Sequence, residues 1–316
     1  MVMNRGAAHS AQFQALRPEL IALAYRMLGD LARAEDMLQE AWLRWQQVSA
    51  VVDSPRAYLS TIVTRLCLNE LASAPRRREV TRGDRLPEPI DLAHGGSERL
   101  EQCEHVSMAF LVLLQRLTPV ERAVLLLHEV FDVEHAQIAE LVGRSIPACR
   151  KLLERARQAV AQGRTTLTPS REEHERLLRA FIGAATRGDM AGLVELLAQD
   201  ARLITDGGAA GRDFKGVRNL AGPLHGADNV ARFVLLTAAR AAGILSWHEH
   251  ELNGQPALVF SRDGAAFAAL LLAVAGGRIQ QVFFHADVTR LRHLGLALAL
   301  HSARLTMQTP HGASSM

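Results

Sequence analysis

The sequence of 316 residues is poor in cysteine and has no long hydrophobic run. Its three cysteines are odd in number and widely separated, so we expect neither a disulfide framework nor a zinc site. The strongest apolar stretch, residues 265–275, is too short to span a bilayer, and the N-terminus lacks an apolar signal segment. The sequence therefore predicts a cytoplasmic protein that uses no metal ion and no cofactor.

An excess of charge of one sign is also lacking, because the formal net charge is only +3. The overall charge therefore does not indicate a nucleic-acid partner, and any such partner has to be argued from local clusters. The length is sufficient for two or three domains, each with its own hydrophobic core. The basic residues are nearly all arginine, since lysine occurs only at Lys151 and Lys215.

The most informative pattern lies between residues 117 and 160. Apolar spacing there predicts a helix over 120–130, a short helix over 135–142 and a third helix that begins after Ser145. Gly143 follows the second helix at the position where glycine commonly ends one. A short helix, a glycine turn and a further helix are typical of a helix-turn-helix, whose last helix lies in the major groove of DNA.

The third predicted helix is strongly basic. Between residues 144 and 164 there are six arginine or lysine residues and a single acidic residue, Glu154. This local balance is typical of a surface that contacts phosphates. The alternative is a solvated basic face on a helix that serves only the fold. The start of the first helix, Thr118-Pro119, has the form of an N-cap followed by proline at the first helical position.

The stretch LTPVERAVLLLHEVFDVEHAQIAELVGRSIPACRKLLERAR resembles region 4 of the extracytoplasmic-function sigma factors of the sigma-70 family. The resemblance implies that this part binds the −35 promoter element and the β flap of RNA polymerase. It also implies which residues face the −35 DNA, and these are Ser145, Pro147, Ala148, Arg150, Lys151 and Arg155.

The N-terminal part is helical in pattern from residue 13 to residue 73. Its segments LGDLARAEDMLQEAWLRW and SPRAYLSTIVTRLCLNELASAPRRRE resemble region 2 of the same sigma factors. The resemblance implies an acidic helix face that docks on the β′ clamp helices and a following helix that reads the −10 element. An exposed acidic face suits a basic partner surface, and asparagine and arginine suit bases and phosphates. The predicted polymerase contacts are Glu35, Asp36, Gln39 and Glu40, and the predicted −10 contacts are Thr64, Arg65, Asn69, Arg76, Arg77 and Arg78.

Helical periodicity fails over residues 81–100, which contain proline and glycine and are typical of a linker. Its LPEP sequence resembles a linker motif of sigma factors that carry an extra C-terminal domain. The predicted organisation is region 2 over 1–80, a linker over 81–100, region 4 over 101–165, a C-terminal domain over 172–291 and a tail over 292–316.

The C-terminal part begins with a predicted helix over 172–187 and continues with strand-like runs joined by glycine-rich turns. This order predicts an α+β domain with an antiparallel sheet. It resembles the SnoaL-like fold, a helix-backed curved sheet around a pocket, whose members include polyketide cyclases and ketosteroid isomerases. The resemblance implies a regulatory motif at Asp206, Gly207 and Gly208, with a second, faint motif in DVTRL at 287–291. The candidate pocket residues are His225, His248 and His285.

We therefore expect two all-α domains followed by an α+β SnoaL-like domain, and a non-enzymatic sigma factor controlled in cis by that domain. The expected partners are core RNA polymerase and promoter DNA, with a small ligand in the C-terminal domain as a further candidate and no membrane. One alternative is a helix-turn-helix regulator with a ligand-sensing domain. Another is an isomerase or cyclase in which a residue such as Asp206 or His285 acts as a general base in an apolar cavity.

Overall fold

The computed structural model describes residues 3–73, 85–91, 106–164, 170–208 and 213–294. In these ranges the N-terminal two thirds of the fold is helical, and a sheet with flanking helices follows. Among the described helices, none combines the length and the apolar character that a membrane crossing requires.

Predicted region 2 contains α1 (Met3–Leu28), α2 (Leu31–Gln46) and α3 (Pro55–Ser73). The Asp30 carboxylate accepts a hydrogen bond from the Arg33 backbone N–H and so caps α2. The apolar stripes of the three helices meet in a core that includes the fully buried side chains of Leu20, Trp45 and Leu59. The predicted helical pattern of this part is confirmed.

Predicted region 4 contains α4 (Met108–Arg116), α5 (Pro119–Phe131), α6 (His135–Val142) and α7 (Ile146–Arg164). The Thr118 hydroxyl and the Glu121 carboxylate form a reciprocal capping box at the start of α5. Gly143 ends α6 with a positive φ of 64°, a conformation that favours glycine. The helix-turn-helix predicted from the sequence is confirmed.

The C-terminal domain begins with α8 (Arg171–Arg187) and α9 (Met190–Leu196). Its six-stranded sheet has the strand order β4-β1-β8-β7-β6-β5, and β2 and β3 form a separate two-stranded sheet. The strands are β1 (Leu197–Asp206), β2 (Asp213–Phe214), β3 (Val217–Arg218), β4 (Leu224–His225), β5 (Ser246–Leu252), β6 (Gln255–Arg262), β7 (Ala265–Ala275) and β8 (Arg278–His285). The remaining elements are α10 (Ala227–Ala241), α11 (Val288–Leu291) and a 3-10 turn at Arg292–Leu294.

The predicted α+β domain is confirmed, but its sheet is not antiparallel throughout, because β1 and β8 are parallel. Their register places Thr205 beside Phe284 and Asp206 beside His285. A parallel pair needs a long crossover, and here the whole segment from β2 to β7 lies between the two strands. The sheet is therefore mixed, with the remaining pairs antiparallel.

The two faces of this sheet pack on different partners. On one face, Leu203, Leu270 and Val282 belong to a core shared with α8 and α10. On the other face, strand alternation places Ile204 and Phe283 in a cluster with the linker and α4. The sheet thus packs with one face on the core of its own domain and with the other face on the sigma regions.

Residues 86–91 of the predicted linker are buried, whereas Arg85 is exposed. Leu86 is 2% exposed and Ile90 is 3% exposed, because they lie between the C-terminal sheet and the helices of regions 2 and 4. The first residues of the predicted tail, which starts at Arg292, are also part of the fold. Leu294 is fully buried in the same cluster as Leu86.

Regions 2 and 4 also contact each other directly and share one hydrophobic core. The Arg56 side chain of α3 donates a hydrogen bond of 2.6 Å to the Val130 carbonyl and lies over the Phe131 ring. The buried Arg122 of α5 donates to the Met27 carbonyl at the end of α1. The described conformation is therefore closed, with regions 2 and 4 side by side.

Candidate promoter interface and interdomain clasp

The predicted −35 contacts lie along one side of α7. Ser145, Pro147, Arg150, Lys151 and Arg155 are exposed, and Ala148 is half-buried. The opposite side of the helix carries the buried Cys149, Leu153 and Ala156. The structure thus brings the predicted set together on an accessible, largely basic surface, which is the arrangement that duplex DNA requires.

The predicted polymerase contacts share the outer side of α2. Glu35, Asp36 and Gln39 are exposed, whereas Glu40 is half-buried and forms a 3.0 Å ion pair with Arg44. The four side chains therefore form one polar strip that is accessible to a partner.

The predicted −10 contacts divide into three groups. Arg65 and Asn69 are exposed on α3. Thr64 is fully buried, so its assignment as a DNA contact is wrong for this conformation. Its position on the helix faces the region 2 core rather than solvent. Arg76, Arg77 and Arg78 lie outside the described residues.

Arg290 joins three separate parts of the chain through one buried guanidinium. Its Nη1 donates to the Leu86 carbonyl at 2.7 Å and to the Asp206 carboxylate at 2.9 Å. Its Nη2 donates to the Gly29 carbonyl at 2.8 Å. We call Gly29, the linker segment 86–90, Asp206, Asn253 and Arg290 the interdomain clasp. A single side chain therefore ties the end of α1, the linker and the C-terminal domain together.

Gly29 is placed so that its carbonyl can accept two of the clasp hydrogen bonds. Besides Arg290, the Glu88 backbone N–H donates to it at 2.9 Å. Gly29 has a positive φ of 68°, and a Cβ atom there would lie 2.8 Å from the Gln115 amide nitrogen. The backbone conformation therefore favours glycine at the turn between α1 and α2, whereas the Gln115 side chain could move away from an added Cβ atom.

The linker is bound to region 2 on one side. The Tyr25 hydroxyl donates to the Glu88 carbonyl at 2.5 Å, and the Glu88 carboxylate accepts from the Leu31 backbone N–H at 2.8 Å. Because the first turn of a helix has free N–H groups, the Glu88 carboxylate satisfies one of them at the start of α2.

On its other side the linker is bound to the C-terminal domain. The Asn253 backbone N–H donates to the Ile90 carbonyl at 2.7 Å, and the Ile90 N–H donates to the Asn253 side-chain carbonyl at 3.0 Å. The same side chain donates from Nδ2 to the Tyr25 hydroxyl at 3.0 Å. Histidine–carboxylate pairs accompany these bonds, with His250 3.1 Å from Asp91 and His293 3.4 Å from Glu88.

The ionisable groups in and beside the clasp are buried, and burial changes their pKa values. Burial raises the pKa of Asp206, and the nearby Arg290 opposes this rise by favouring the carboxylate. Burial likewise raises the pKa of Glu88. Burial lowers the pKa of His285 well below its ordinary value, and Arg290 adds to the effect. The clasp thus depends on the pairing of buried groups, each of which would be costly alone.

The predicted motif at Asp206, Gly207 and Gly208 takes part in this clasp. The Asp206 carboxylate accepts from the Leu86 backbone N–H at 3.0 Å and from the Gly208 N–H at 2.9 Å. Gly208 has a positive φ of 77°, and a Cβ atom there would lie 2.8 Å from the Asp287 carboxylate. Asp206 is therefore a structural tie to the linker.

The prediction that His225, His248 and His285 share a pocket is wrong. They lie on β4, β5 and β8, and β4 and β5 are the opposite edges of the sheet. None of the three lines the apolar cavity between the sheet and α10. Asp206 does not line it either, so the general base of the isomerase alternative does not face that cavity. Within the described ranges, no three histidine, cysteine or acidic residues are grouped as a metal ion would require.

Sequence reasoning missed Arg290 and Asn253 of the clasp, as well as Tyr25, which binds both Glu88 and Asn253, and Arg122, which joins region 4 to the end of α1. The one available signal was the position of Arg290 inside the DVTRL segment, which resembles a family motif. The partners of Arg290 and Arg122 are mostly backbone carbonyls, and these leave no trace in the residue pattern.

The fold and its surfaces define a class of transcription factor, and comparison with known families agrees with it. Residues 12–77 match the family "Sigma-70 region 2", and residues 107–160 match the family "Sigma-70, region 4". Regions 2 and 4 of the sigma-70 family in one chain define a sigma factor.

Individual relatives make the assignment more specific. The chain is 37% identical over 230 residues to the ECF RNA polymerase sigma factor SigJ of Mycobacterium tuberculosis. The aligned part covers 71% of this chain and 72% of that relative. It is 33% identical over 285 residues to the probable ECF sigma factor SigI of the same species, with 86% and 91% covered. The crystal structure of M. tuberculosis SigJ matches 90% of this chain and 98% of its own with a TM-score of 0.69 and 31% identity.

The chain therefore belongs to the extracytoplasmic-function sigma factors of the sigma-70 family, of the SigJ type. It directs transcription initiation by binding core RNA polymerase and promoter DNA, and this role is not enzymatic. The family assignment favours a sigma factor over both alternatives, the operator-binding regulator and the isomerase or cyclase.

Proposed function

We propose that the C-terminal domain controls this sigma factor in cis, by holding regions 2 and 4 in a closed arrangement through the interdomain clasp. The observation that carries the proposal is the Arg290 guanidinium, which binds Asp206, the linker and the end of α1 at once. Because these bonds are buried and mutually dependent, the domain is either fully engaged or released.

The distance between the −10 and −35 promoter elements supports the proposal that the closed state does not bind both of them at once. The −10 and −35 elements are about 25 base pairs apart, or roughly 85 Å along a duplex with a rise of about 3.4 Å per base pair. In the closed state regions 2 and 4 share one core and are joined by the bonds of Arg56 and Arg122. Binding both elements therefore requires the regions to separate and the linker to leave the clasp.

The surfaces on α2 and α7 suit the two halves of the polymerase–promoter complex. We propose that Glu35, Asp36, Gln39 and Glu40 bind the β′ clamp helices, whereas region 4 binds the β flap. Arg65 and Asn69, together with Arg76, Arg77 and Arg78, bind the −10 element. Ser145, Pro147, Ala148, Arg150, Lys151 and Arg155 bind the −35 element. The exposure of α2 and α7 in the closed state supports initial contacts with either partner before the regions separate.

The test is transcription by core RNA polymerase from a library of promoter fragments, with the full chain and with Arg290→Ala. Loss of the clasp is expected to raise promoter-specific initiation several-fold at limiting sigma factor. Arg292→Ala is the matched control, because Arg292 is exposed two residues further along the chain. Initiation that is unchanged or reduced in a folded Arg290→Ala protein contradicts control by restraint.

A second variant separates the effect of losing the clasp from the effect of a folding defect in Arg290→Ala. Asn253→Gly removes the side-chain bonds to Ile90 and Tyr25, and it suits the positive φ of 53° at this position. Since Asn253 holds the linker without a buried ion pair, this variant keeps the C-terminal domain folded and weakens the clasp. It is expected to raise initiation in the same direction, by a smaller factor. An effect in the opposite direction would contradict the proposal.

A further inference from the structure

A histidine and a carboxylate face each other where the 3-10 turn at Arg292–Leu294 packs on the linker. His293 of this turn places Nε2 2.9 Å from the Pro89 carbonyl and Nδ1 3.4 Å from the Glu88 carboxylate. The Glu88 side chain is 9% exposed and the His293 side chain is 30% exposed. The pair therefore joins the linker to the end of the C-terminal domain at a largely dehydrated place.

Both ring nitrogens of His293 face oxygen acceptors. A neutral imidazole has a single N–H, so it can donate to the Pro89 carbonyl or to the Glu88 carboxylate but not to both. A protonated ring has an N–H on each nitrogen, and a protonated Glu88 would itself donate to the ring. Both contacts of His293 are therefore satisfied together only when this site holds one additional proton.

The surroundings of Glu88 also favour such a proton. Its Oε2 accepts from the Leu31 backbone N–H at 2.8 Å, while Oε1 faces His293. Burial raises the pKa of Glu88, and the Leu31 N–H and the Arg290 charge oppose this rise only in part. Because the buried carboxyl group holds a proton more tightly than it would in water, low pH favours the state in which it is buried.

The other charged groups around Glu88 are bound to one another. Arg290 is 2.9 Å from the Asp206 carboxylate. Asp30, whose negative charge raises the pKa of Glu88 further, is 2.9 Å from Arg85 and 4.0 Å from Arg33. These groups thus form pairs of their own, and the counterpart that Glu88 meets across the domain boundary is His293.

Two other histidines lie near the clasp. Burial lowers the pKa of His285 well below its usual range, so this side chain stays neutral in mildly acidic and in alkaline solution. His250 lies 3.1 Å from Asp91, and it is retained in every variant described below, so its contribution cancels in their comparison. Arg292, next to His293 in the turn, is exposed.

We propose that closure of the clasp takes up one proton, which His293 and Glu88 share, so that the C-terminal domain holds the linker more tightly at low pH than at high pH. A group that binds its proton more tightly in the closed state stabilises that state at low pH, and this contribution is lost as the pH rises. Histidine changes its charge between about pH 5 and pH 8, so the clasp is expected to loosen across this range. Proton uptake is a property of the clasp itself, whereas its effect on transcription rests on the proposed function.

The proton link is tested on the full chain by hydrogen exchange of the Ile90 backbone N–H, which donates to the Asn253 side chain in the clasp. The rate is converted to a protection factor, which is the intrinsic rate of an unstructured amide at the same pH divided by the observed rate. This factor is expected to fall several-fold between about pH 6 and pH 8. The Leu193 N–H, bonded to the Asp189 carbonyl within the C-terminal domain, should keep its protection.

Variants at the two positions identify the groups that hold the proton. Glu88→Gln keeps an acceptor for the Leu31 N–H but cannot ionise, and His293→Gln keeps a donor but cannot gain a proton. Each is expected to flatten the pH dependence of the Ile90 protection factor. The double variant should be no flatter than either single variant, because both substitutions remove the same proton. His225→Gln, at an exposed position on β4, should retain the original dependence.

An Ile90 protection factor that stays constant or rises between about pH 6 and pH 8 overturns the proposal. An unchanged pH dependence in Glu88→Gln or His293→Gln also overturns it, provided that the Leu193 N–H shows the variant to be folded. Promoter-specific initiation is measured separately over the same pH range. If the protection factor changes as expected while initiation does not, the proton link is supported and control in cis fails. If Arg290→Ala raises initiation while Ile90 protection is constant with pH, control in cis stands and the proton link is wrong.

Discussion

Basic side chains occur in two contrasting settings in this protein, buried between its domains and exposed on α7. Arg290 and Arg122 are buried, and each donates to at least one backbone carbonyl of a distant segment. Arg150, Lys151 and Arg155 are exposed on a helix whose other side is apolar. The same side-chain charge is thus buried and holds the architecture together in one place, and is accessible to solvent on the surface in the other.

The difference follows from solvation. An exposed charge keeps its hydration, so its removal changes stability little, while a partner such as DNA still gains from it. A buried charge has lost its hydration and depends on its bonds, so its removal leaves other buried groups unpaired. Burial therefore predicts which basic residues determine stability and which determine binding.

The largest expected effect is that of Arg290→Ala. It leaves the Asp206 carboxylate and the Gly29 and Leu86 carbonyls without their guanidinium, and we expect the free energy of unfolding to fall by about 3–5 kcal/mol. Denaturation by urea measures this loss. Limited trypsin digestion should also show faster cleavage after Arg85, because the Leu86 N–H is held by Asp206 in the intact clasp.

Arg292→Ala is the control for this prediction, since Arg292 is exposed beside the same turn. Its free energy of unfolding should stay within about 0.5 kcal/mol of the unmodified chain. Equal losses in the two variants would contradict the contrast between buried and exposed arginines.

The second largest expected effect is a loss of stability at acid pH. It is caused by His174, a buried histidine of α8 outside the clasp. Burial lowers its pKa from 6.5 to about 4, and Glu173 and Glu175 only partly oppose this. The neutral form is thus favoured on folding, so the contribution of His174 to stability is full above pH 6.5 and is lost as the pH falls towards 4. At pH 5 the loss relative to pH 7 is about 2 kcal/mol, measurable by urea denaturation at each pH.

His174→Leu removes the titrating group and is expected to flatten this part of the pH dependence. His225→Leu, at an exposed position on β4, should leave the dependence unchanged. A His174→Leu protein that loses stability between pH 7 and 5 as steeply as the original would show that other groups cause the acid sensitivity.

The smallest effect on stability is expected from Lys151→Ala on α7. The free energy of unfolding should change by less than about 0.5 kcal/mol, because the side chain is exposed. Promoter affinity of the holoenzyme should fall, and the slope of log affinity against log salt should weaken by about 1 for each lost phosphate contact. The measurement is promoter binding by the holoenzyme at a series of salt concentrations.

Arg116→Ala provides a control on another exposed surface, at the end of α4, where binding and its salt dependence should stay unchanged. If Lys151→Ala weakens folding but not promoter binding, then α7 has the structural role that its basic pattern also allowed.

Much of the helical part could be predicted because its signals are local. Thr118 and Gly143 act within one turn of their own helices, so their positions mark helix ends directly. The basic side of α7 follows from apolar spacing at Cys149 and Leu153. For the same reason the sequence predicted which side of α7 is exposed and basic, but not how this helix lies relative to region 2.

The clasp and the parallel strand pair could not be predicted, because both depend on contacts between distant segments. Arg290 contacts Gly29 across 261 residues of sequence, and Asn253 contacts Tyr25 across 228. The linker composition indicated a connection without helical periodicity but not its burial; Leu86 and Ile90 are buried, because Gly29, Asn253 and Asp206 satisfy the linker backbone. The misplaced Thr64 shows the same limit, since a family motif marks a position without marking which side of the helix is buried.

The late position of Arg290 in the chain has a consequence for synthesis. A ribosome completes α7 at Arg164 about 126 residues before it reaches Arg290. At about 5–20 residues per second, regions 2 and 4 of the nascent chain exist for roughly 6–25 seconds without the residue that joins them to the linker. Each newly made molecule therefore passes through a period in which regions 2 and 4 are present without the clasp, which forms only as the C-terminal domain folds.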